Sequence, residues 1–183
     1  MHSTRRSLPP SVPVGRPTAV ATDAMAVAAI LAIHIGMVWW LRVPSMTTGN
    51  DQAWYMLLAR SLTHFSYDNL QFVEVTPHTK FPPVYPALLA LFGVTSFDRF
   101  DIGIAANALL SATALGLTYG IVRRTSRVLA LFVVAVCSVN PLLVSVAGSL
   151  LSEPLFMALS ALALFALTRP NPSRRSTIIV IGK

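Results

Sequence analysis

Four long apolar stretches, set apart by clusters of arginine, constrain this chain more than any other feature. They run from Ala24 to Leu41, from Ile102 to Val122, from Val128 to Leu151 and from Leu155 to Thr168. The first holds 18 residues without a formal charge. A helix of that length, at about 1.5 Å rise per residue, nearly matches a hydrocarbon core of about 30 Å. The fourth is short unless Leu150 and Leu151 extend it. Only 11% of the residues are charged, against about 25% in an ordinary soluble domain, so lipid is the expected solvent for much of the chain. Arg42-Val43-Pro44, with no small-residue cleavage site, follows the first stretch. That stretch therefore reads as an uncleaved span and not as a signal peptide.

The basic residues set the orientation. Arg5, Arg6 and Arg16 precede the first stretch, Arg123, Arg124 and Arg127 separate the second from the third, and Arg169, Arg174, Arg175 and Lys183 follow the fourth. These are ten of the 14 basic residues. Basic loops mark the cytoplasmic side, and all three clusters share one side only if the chain crosses four times. The pattern predicts an all-α, multi-pass protein of the plasma membrane, with about four transmembrane helices and a cytoplasmic N-terminus. Residues 1–22 are expected to form a disordered cytoplasmic tail, because Pro9, Pro10, Pro13 and Pro17 oppose a stable helix. Residues 23–168 form the membrane region, and 169–183 read as a cytoplasmic end leading into a fifth span cut short, as in a fragment of a larger protein.

The long outer loop, 42–101, has patterning of its own. Trp54, Leu57, Leu58, Ser61 and Leu62 recur on one helical face, and Asn50 or Asp51 is placed to cap that helix. Val84 to Val94 follows Pro82-Pro83, where prolines suit a helix start, and is too short to span. Both segments are expected to lie as interfacial helices, with Trp39, Trp40 and Trp54 in the aromatic belt. His34, Asn107 and Asn140 fall inside predicted spans and are expected to hydrogen-bond between helices; Asn140-Pro141 is expected to bend the third.

The net charge of +7 does not point to nucleic acid, since no basic, aromatic-interleaved domain is present to hold one. The lone Cys137 lies in an apolar run and reads as a small buried hydrophobe. His64 and His78 show no ligand spacing for a metal.

The order of elements is a span, then Gly49-Asn50-Asp51-Gln52-Ala53-Trp54-Tyr55, then Lys80-Phe81-Pro82-Pro83-Val84-Tyr85-Pro86, a span ending in Arg123-Arg124, and Leu151-Ser152-Glu153-Pro154. This order resembles the N-terminal part of the GT-C glycosyltransferases, the polytopic enzymes that use polyprenyl-phosphate sugars, such as the protein mannosyltransferases and aminoarabinose transferases. The likeness covers about Ala24 to Thr168. It implies that Asp51 is the first-loop acid, acting as general base toward an acceptor hydroxyl or helping to hold a divalent cation. It implies that Lys80 meets the lipid phosphate, and that Glu153, at the outer start of the fourth span, and Tyr55 contact the substrate. Where many relatives carry a second acid directly after the first-loop Asp, this chain has Gln52.

Transfer of a sugar to a hydroxyl needs a base for the proton and positive charge for the departing phosphate. An outer carboxylate and an outer ammonium near the membrane plane supply both. The expected partners are membrane lipid and a polyprenyl-phosphate sugar. A plainer reading keeps Asp51 as a helix cap, Lys80 as an interfacial anchor and Glu153 as a span boundary. A non-catalytic module that binds or translocates a lipid-linked saccharide, or an assembly subunit, is the alternative to an enzyme.

Overall fold

The computed structural model describes residues 17–42, 50–68 and 76–169. The tail before Pro17, the arginines and lysine after Arg169, and the lead-in to a fifth span lie outside them. Among the described residues the chain is helical: α1 Pro17–Leu41, α2 Asn50–Leu62, α3 Val84–Leu91, α4 Phe100–Val122, α5 Arg127–Ser138, α6 Pro141–Ala147 and α7 Glu153–Leu167. The only pairing of extended backbone among these residues is an isolated antiparallel bridge between Asp68 and Pro77.

α1 begins at Pro17, inside the segment expected to be tail. Proline is tolerated in a first helical turn, where its missing N–H has no partner to lose, and the alanine-rich sequence behind it favours helix. α3 starts directly after Pro82-Pro83 and stops at Gly93, which takes φ +69° and lets the Val94 N–H turn back to the Leu89 carbonyl at 2.8 Å. Ser126 caps α5 by accepting from the Leu129 N–H.

The expected bend at Asn140-Pro141 is present: α5 and α6 meet at 62°. Asn140 itself does not bridge helices as expected. Its Oδ1 accepts from the N–H groups of Leu142 and Leu143 and so caps α6. A side chain two residues from freed N–H groups reaches them at less entropic cost than a neighbouring helix.

Among the described residues two helices are long and apolar enough to cross a membrane, Ala21–Leu41 and Phe97–Val122, and the bent α5–α6 pair makes a third if it is one span. α7, at 15 residues, covers only about 22 Å at 1.5 Å per residue. The membrane character is therefore carried by two or three helices.

α4 is the centre of the bundle. It packs on α1, on α5 and most extensively on α7. Small residues make this possible: Gly103, Ala108, Ser111, Ala112 and Ala114 of α4 and Ala158 and Ala161 of α7 are buried, which lets backbones approach closely. At Gly103 the approach is complete, since a Cβ there would collide with the Leu150 side chain.

Polar contacts fix which ends lie together. Asp23 of α1, only 4% exposed, is paired with Arg123 at 3.6 Å, just past α4, and with Arg127, the first residue of α5. Arg124 donates to the Thr168 carbonyl at the end of α7. At the opposite end Arg42, just past α1, meets Asp101 at the start of α4 at 3.1 Å. The helices thus run alternately between a basic end and an end that carries the loop helices. Sequence reading overlooked Asp23, which stands one residue outside the uncharged stretch that was read as the first span.

α2 packs against α3, and its buried face differs from the expected one. Gln52, Tyr55, Met56, Leu58, Ala59 and Ser61 are buried, whereas Trp54, Leu57 and Leu62 are half-buried. Leu58 and Ser61 are buried as expected; apolar periodicity alone missed Gln52, a polar residue that sits on the packed face with its own partner. The Gln52 Oε1 accepts from the Leu150 N–H at 3.1 Å. The Ser61 hydroxyl bonds that of Ser66 at 2.8 Å and accepts from the Asp68 N–H at 2.9 Å. Hydrogen-bonded polar groups cost little to bury.

Candidate functional site

At the loop-helix end, a polar cleft of about 280 Å³ is lined by Asp51, Gln52, Ser145, Val146, Ser149, Leu151 and Glu153. Three elements build it. Asp51 stands in the first turn of α2 and Glu153 in the first turn of α7, so Asp51 lies within its helix and not at the capping position. Ser145 and Ser149, one helical turn apart, come from α6 and the turn that follows it. Two helix N-termini therefore face one cleft, each with a carboxylate in its first turn. Unpaired N–H groups at such ends favour negative charge and attract phosphate oxygens.

The turn that carries the cleft, 148–152, is held from two sides. Gln52 takes the Leu150 N–H as described. From α4, the Asn107 amide donates to the carbonyls of Ser149 at 2.6 Å and Leu151 at 3.2 Å, while its Oδ1 accepts from the Tyr85 hydroxyl at 3.2 Å. The position after Asp51 thus serves as an architectural clamp in this chain. Burial pushes the Tyr85 hydroxyl far above its ordinary pKa, so it stays a donor.

Tyr55 does not line the cleft but bonds to Ser152, which stands between the lining residues Leu151 and Glu153. The Tyr55 hydroxyl pairs with the Ser152 hydroxyl at 3.0 Å, which occupies the side chain that would otherwise cap α7. Burial raises the Tyr55 pKa; the Ser152 bond lowers it in part, and the charges of Glu153 and then Asp51 raise it further. Both carboxylates act on one phenol, although 102 residues separate them in sequence. Tyr55 and Ser152 line an apolar cavity of about 230 Å³, together with Pro82, Val84, Tyr85, Leu155, Phe156 and Leu159. A second apolar cavity, about 420 Å³, shares Phe156 and continues along α4 and α7.

Lys80 does not line the cleft. Its ammonium lies 4.7 Å from the Phe81 ring centroid, and Phe81 in turn packs on Tyr55 at 4.9 Å. The structure thus brings Asp51 and Glu153 into one cleft, with Tyr55 joined to it through Ser152 and Lys80 one aromatic ring beyond Tyr55. Ser145, Ser149, Ser152 and Asn107 complete the arrangement. The sequence signal for the serines was their spacing inside an otherwise apolar run after Asn140-Pro141.

Among the described residues no three His, Cys, Asp or Glu side chains converge. The two carboxylates and two hydroxyls of the cleft are hard oxygen donors. They fit a magnesium-type ion that also takes phosphate oxygens from a substrate, which commonly needs only one or two protein carboxylates.

His78 supports Phe81. Its Nε2 accepts from the Phe81 N–H at 2.9 Å, and its ring stacks on Phe81 with centroids 5.4 Å apart. Burial, with a contribution from Lys80, holds the His78 pKa below its usual value. The unfolded chain therefore binds this proton more readily than the folded one. The stability contributed by neutral His78 is full above pH about 6.5 and is lost as the pH falls below it. Thermal unfolding should show a lower melting temperature at pH 5 than at pH 7.5, and His78→Gln, which keeps an acceptor but does not titrate, should flatten that difference. Equal pH dependence in the two proteins would remove His78 from this role.

Comparison of the chain with protein-family models, with curated proteins and with solved structures gave no match.

Proposed function

We propose that this chain carries the acid centre of a GT-C-like membrane glycosyltransferase, which moves a sugar from a polyprenyl-phosphate donor to an acceptor hydroxyl on the extracytoplasmic side. In this reading the chain crosses the bilayer four times, with α7 as the short last crossing and α2 and α3 at the outer interface. The observation that carries the proposal is the convergence of Asp51 and Glu153 on one serine-lined cleft, with an apolar cavity lined by Ser152, the residue next to Glu153, and by Tyr55. A substrate with a charged, hydroxyl-rich head and a long apolar tail needs both kinds of space next to each other.

Asp51 is the general base that takes the acceptor proton, and Glu153 and Tyr55 orient the sugar. The two helix N-termini, with Lys80 as an outlying charge, draw the donor phosphate to the cleft. Asp51 and Glu153 are the residues that would hold a divalent cation, which would supply Lewis-acid stabilisation of the leaving group.

In membranes from cells that express the protein from its own gene, Asp51→Asn is expected to lower transfer of radiolabelled sugar from the polyprenyl-phosphate donor about a hundredfold. Membrane insertion should be unchanged. Turnover within about twofold of wild type would remove Asp51 from general-base chemistry, whose usual contribution is larger. Saturable donor binding without any transfer by the wild-type protein would assign the cleft to a carrier instead of an enzyme.

A further inference from the structure

The basic end of the bundle, remote from the Asp51 cleft, holds two guanidinium groups on one aromatic ring. The Arg124 guanidinium carbon lies 5.0 Å from the Phe165 ring centroid and that of Arg169 lies 5.1 Å from it. Two charges so placed are at most about 10 Å apart, close to the Debye length of about 10 Å at 0.1 M salt, and repel each other.

The ring is held in place from behind. A Cβ at Gly120 would sit 2.9 Å from the Phe165 Cε2, so the ring lies against bare α4 backbone. Arg124 also donates to the Thr168 carbonyl, which fixes its reach. The carboxylate of this end, Asp23, is already taken by Arg123 and Arg127. Among the described residues neither Arg124 nor Arg169 has a carboxylate partner.

We propose that Arg124 and Arg169, mounted on Phe165, form a binding site for the phosphate of an anionic phospholipid. Planar guanidinium groups match phosphate oxygens with paired N–H donors, and one phosphate between the two would relieve their repulsion. The surroundings favour a lipid over a free anion. Leu164 and Leu167, on the same last turns of α7, are 56% and 82% exposed, and Leu164 also lines the larger apolar cavity. An acyl chain has a wall to lie on directly beside the charges.

Native mass spectrometry of the full chain in detergent, supplied with dioleoylphosphatidylglycerol or dioleoylphosphatidylcholine, tests this. The wild type should retain the anionic lipid preferentially. The pair Arg124→Ala with Arg169→Ala should weaken that retention about thirtyfold, from about fivefold per charge. Arg99→Ala, a charge removed at the opposite end, should leave it unchanged. If the alanine pair does not fold, Arg169→Gln alone should lose about fivefold, because the Arg169 side chain makes no hydrogen bond among the described residues. Equal retention of the two lipids, or unchanged retention in these variants, overturns the proposal. So does displacement of the lipid by equimolar inorganic phosphate or by a short RNA, which would mean a plain anion site.

Discussion

Asn107→Leu is expected to destabilise the protein by about 3–5 kcal/mol, from two or three orphaned polar groups at about 1–3 kcal/mol each. Asn107 is fully buried, with both amide hydrogens and its oxygen in use. Leucine has the same number and branching of side-chain heavy atoms and is somewhat larger, so the substitution opens no cavity and the loss of polar contacts dominates. It strands the carbonyls of Ser149 and Leu151 and the Tyr85 hydroxyl, and Tyr85 has only 2% exposure through which to recruit water. The consequence reaches the cleft, because Ser149 and Leu151 are part of its lining. Denaturant unfolding measures the first effect and proteolytic nicking within 148–152 the second. Asn107→Asp separates the contributions: it keeps the acceptor for Tyr85 and loses both donors, so it should still release the turn. A destabilisation below about 1 kcal/mol for the leucine variant would show that water meets these carbonyls.

The elements whose signal is local were legible in the sequence. The break at Asn140-Pro141 needed only the missing proline N–H, and α3 needed only Pro82-Pro83 before an apolar run. The helical nature of α2 was legible, but its packed face was not. Ser61 falls on the apolar face of the sequence pattern, but Gln52 looks solvent-seeking until its partner, the Leu150 N–H, is supplied by the folded chain. Asp23 was passed over for the same reason. One residue outside an uncharged stretch, it reads as a boundary charge, and only the arrival of Arg123 and Arg127 turns it into a buried ion pair. Of the cleft, Asp51 and Glu153 were nameable singly from their places beside apolar stretches. Their meeting depends on the α5–α6 bend and on the Asn107 clamp, which no spacing rule connects. The count of crossings stayed open to correction because hydropathy measures length, and α7 is short.

His34→Leu is expected to cost about 2–3 kcal/mol, the upper part of the range for stranding a buried acceptor. The reason lies in the α5–α6 break. In an unbroken helix the Ser138 carbonyl would accept from the Leu142 N–H, but that N–H is turned to the Asn140 side chain. His34 of α1, with no exposure, replaces it: its Nδ1 lies 2.8 Å from the Ser138 carbonyl. A carbonyl only accepts, so Nδ1 carries a proton toward it, while Nε2 pairs with the Ser111 hydroxyl at 2.9 Å. One imidazole thereby ties α1 and α4 to the carbonyl left open by the bend. Leucine removes the donor and leaves Ser138 with nothing to bond in an apolar interior. His34→Gln, which has both a donor and an acceptor, should recover at least half of the loss; His34→Leu should not. Unfolding in mixed detergent micelles, with the two variants compared at one pH, measures this directly. Equal stability of the leucine and glutamine variants would mean that the bend supports itself, and that the histidine is held by packing alone.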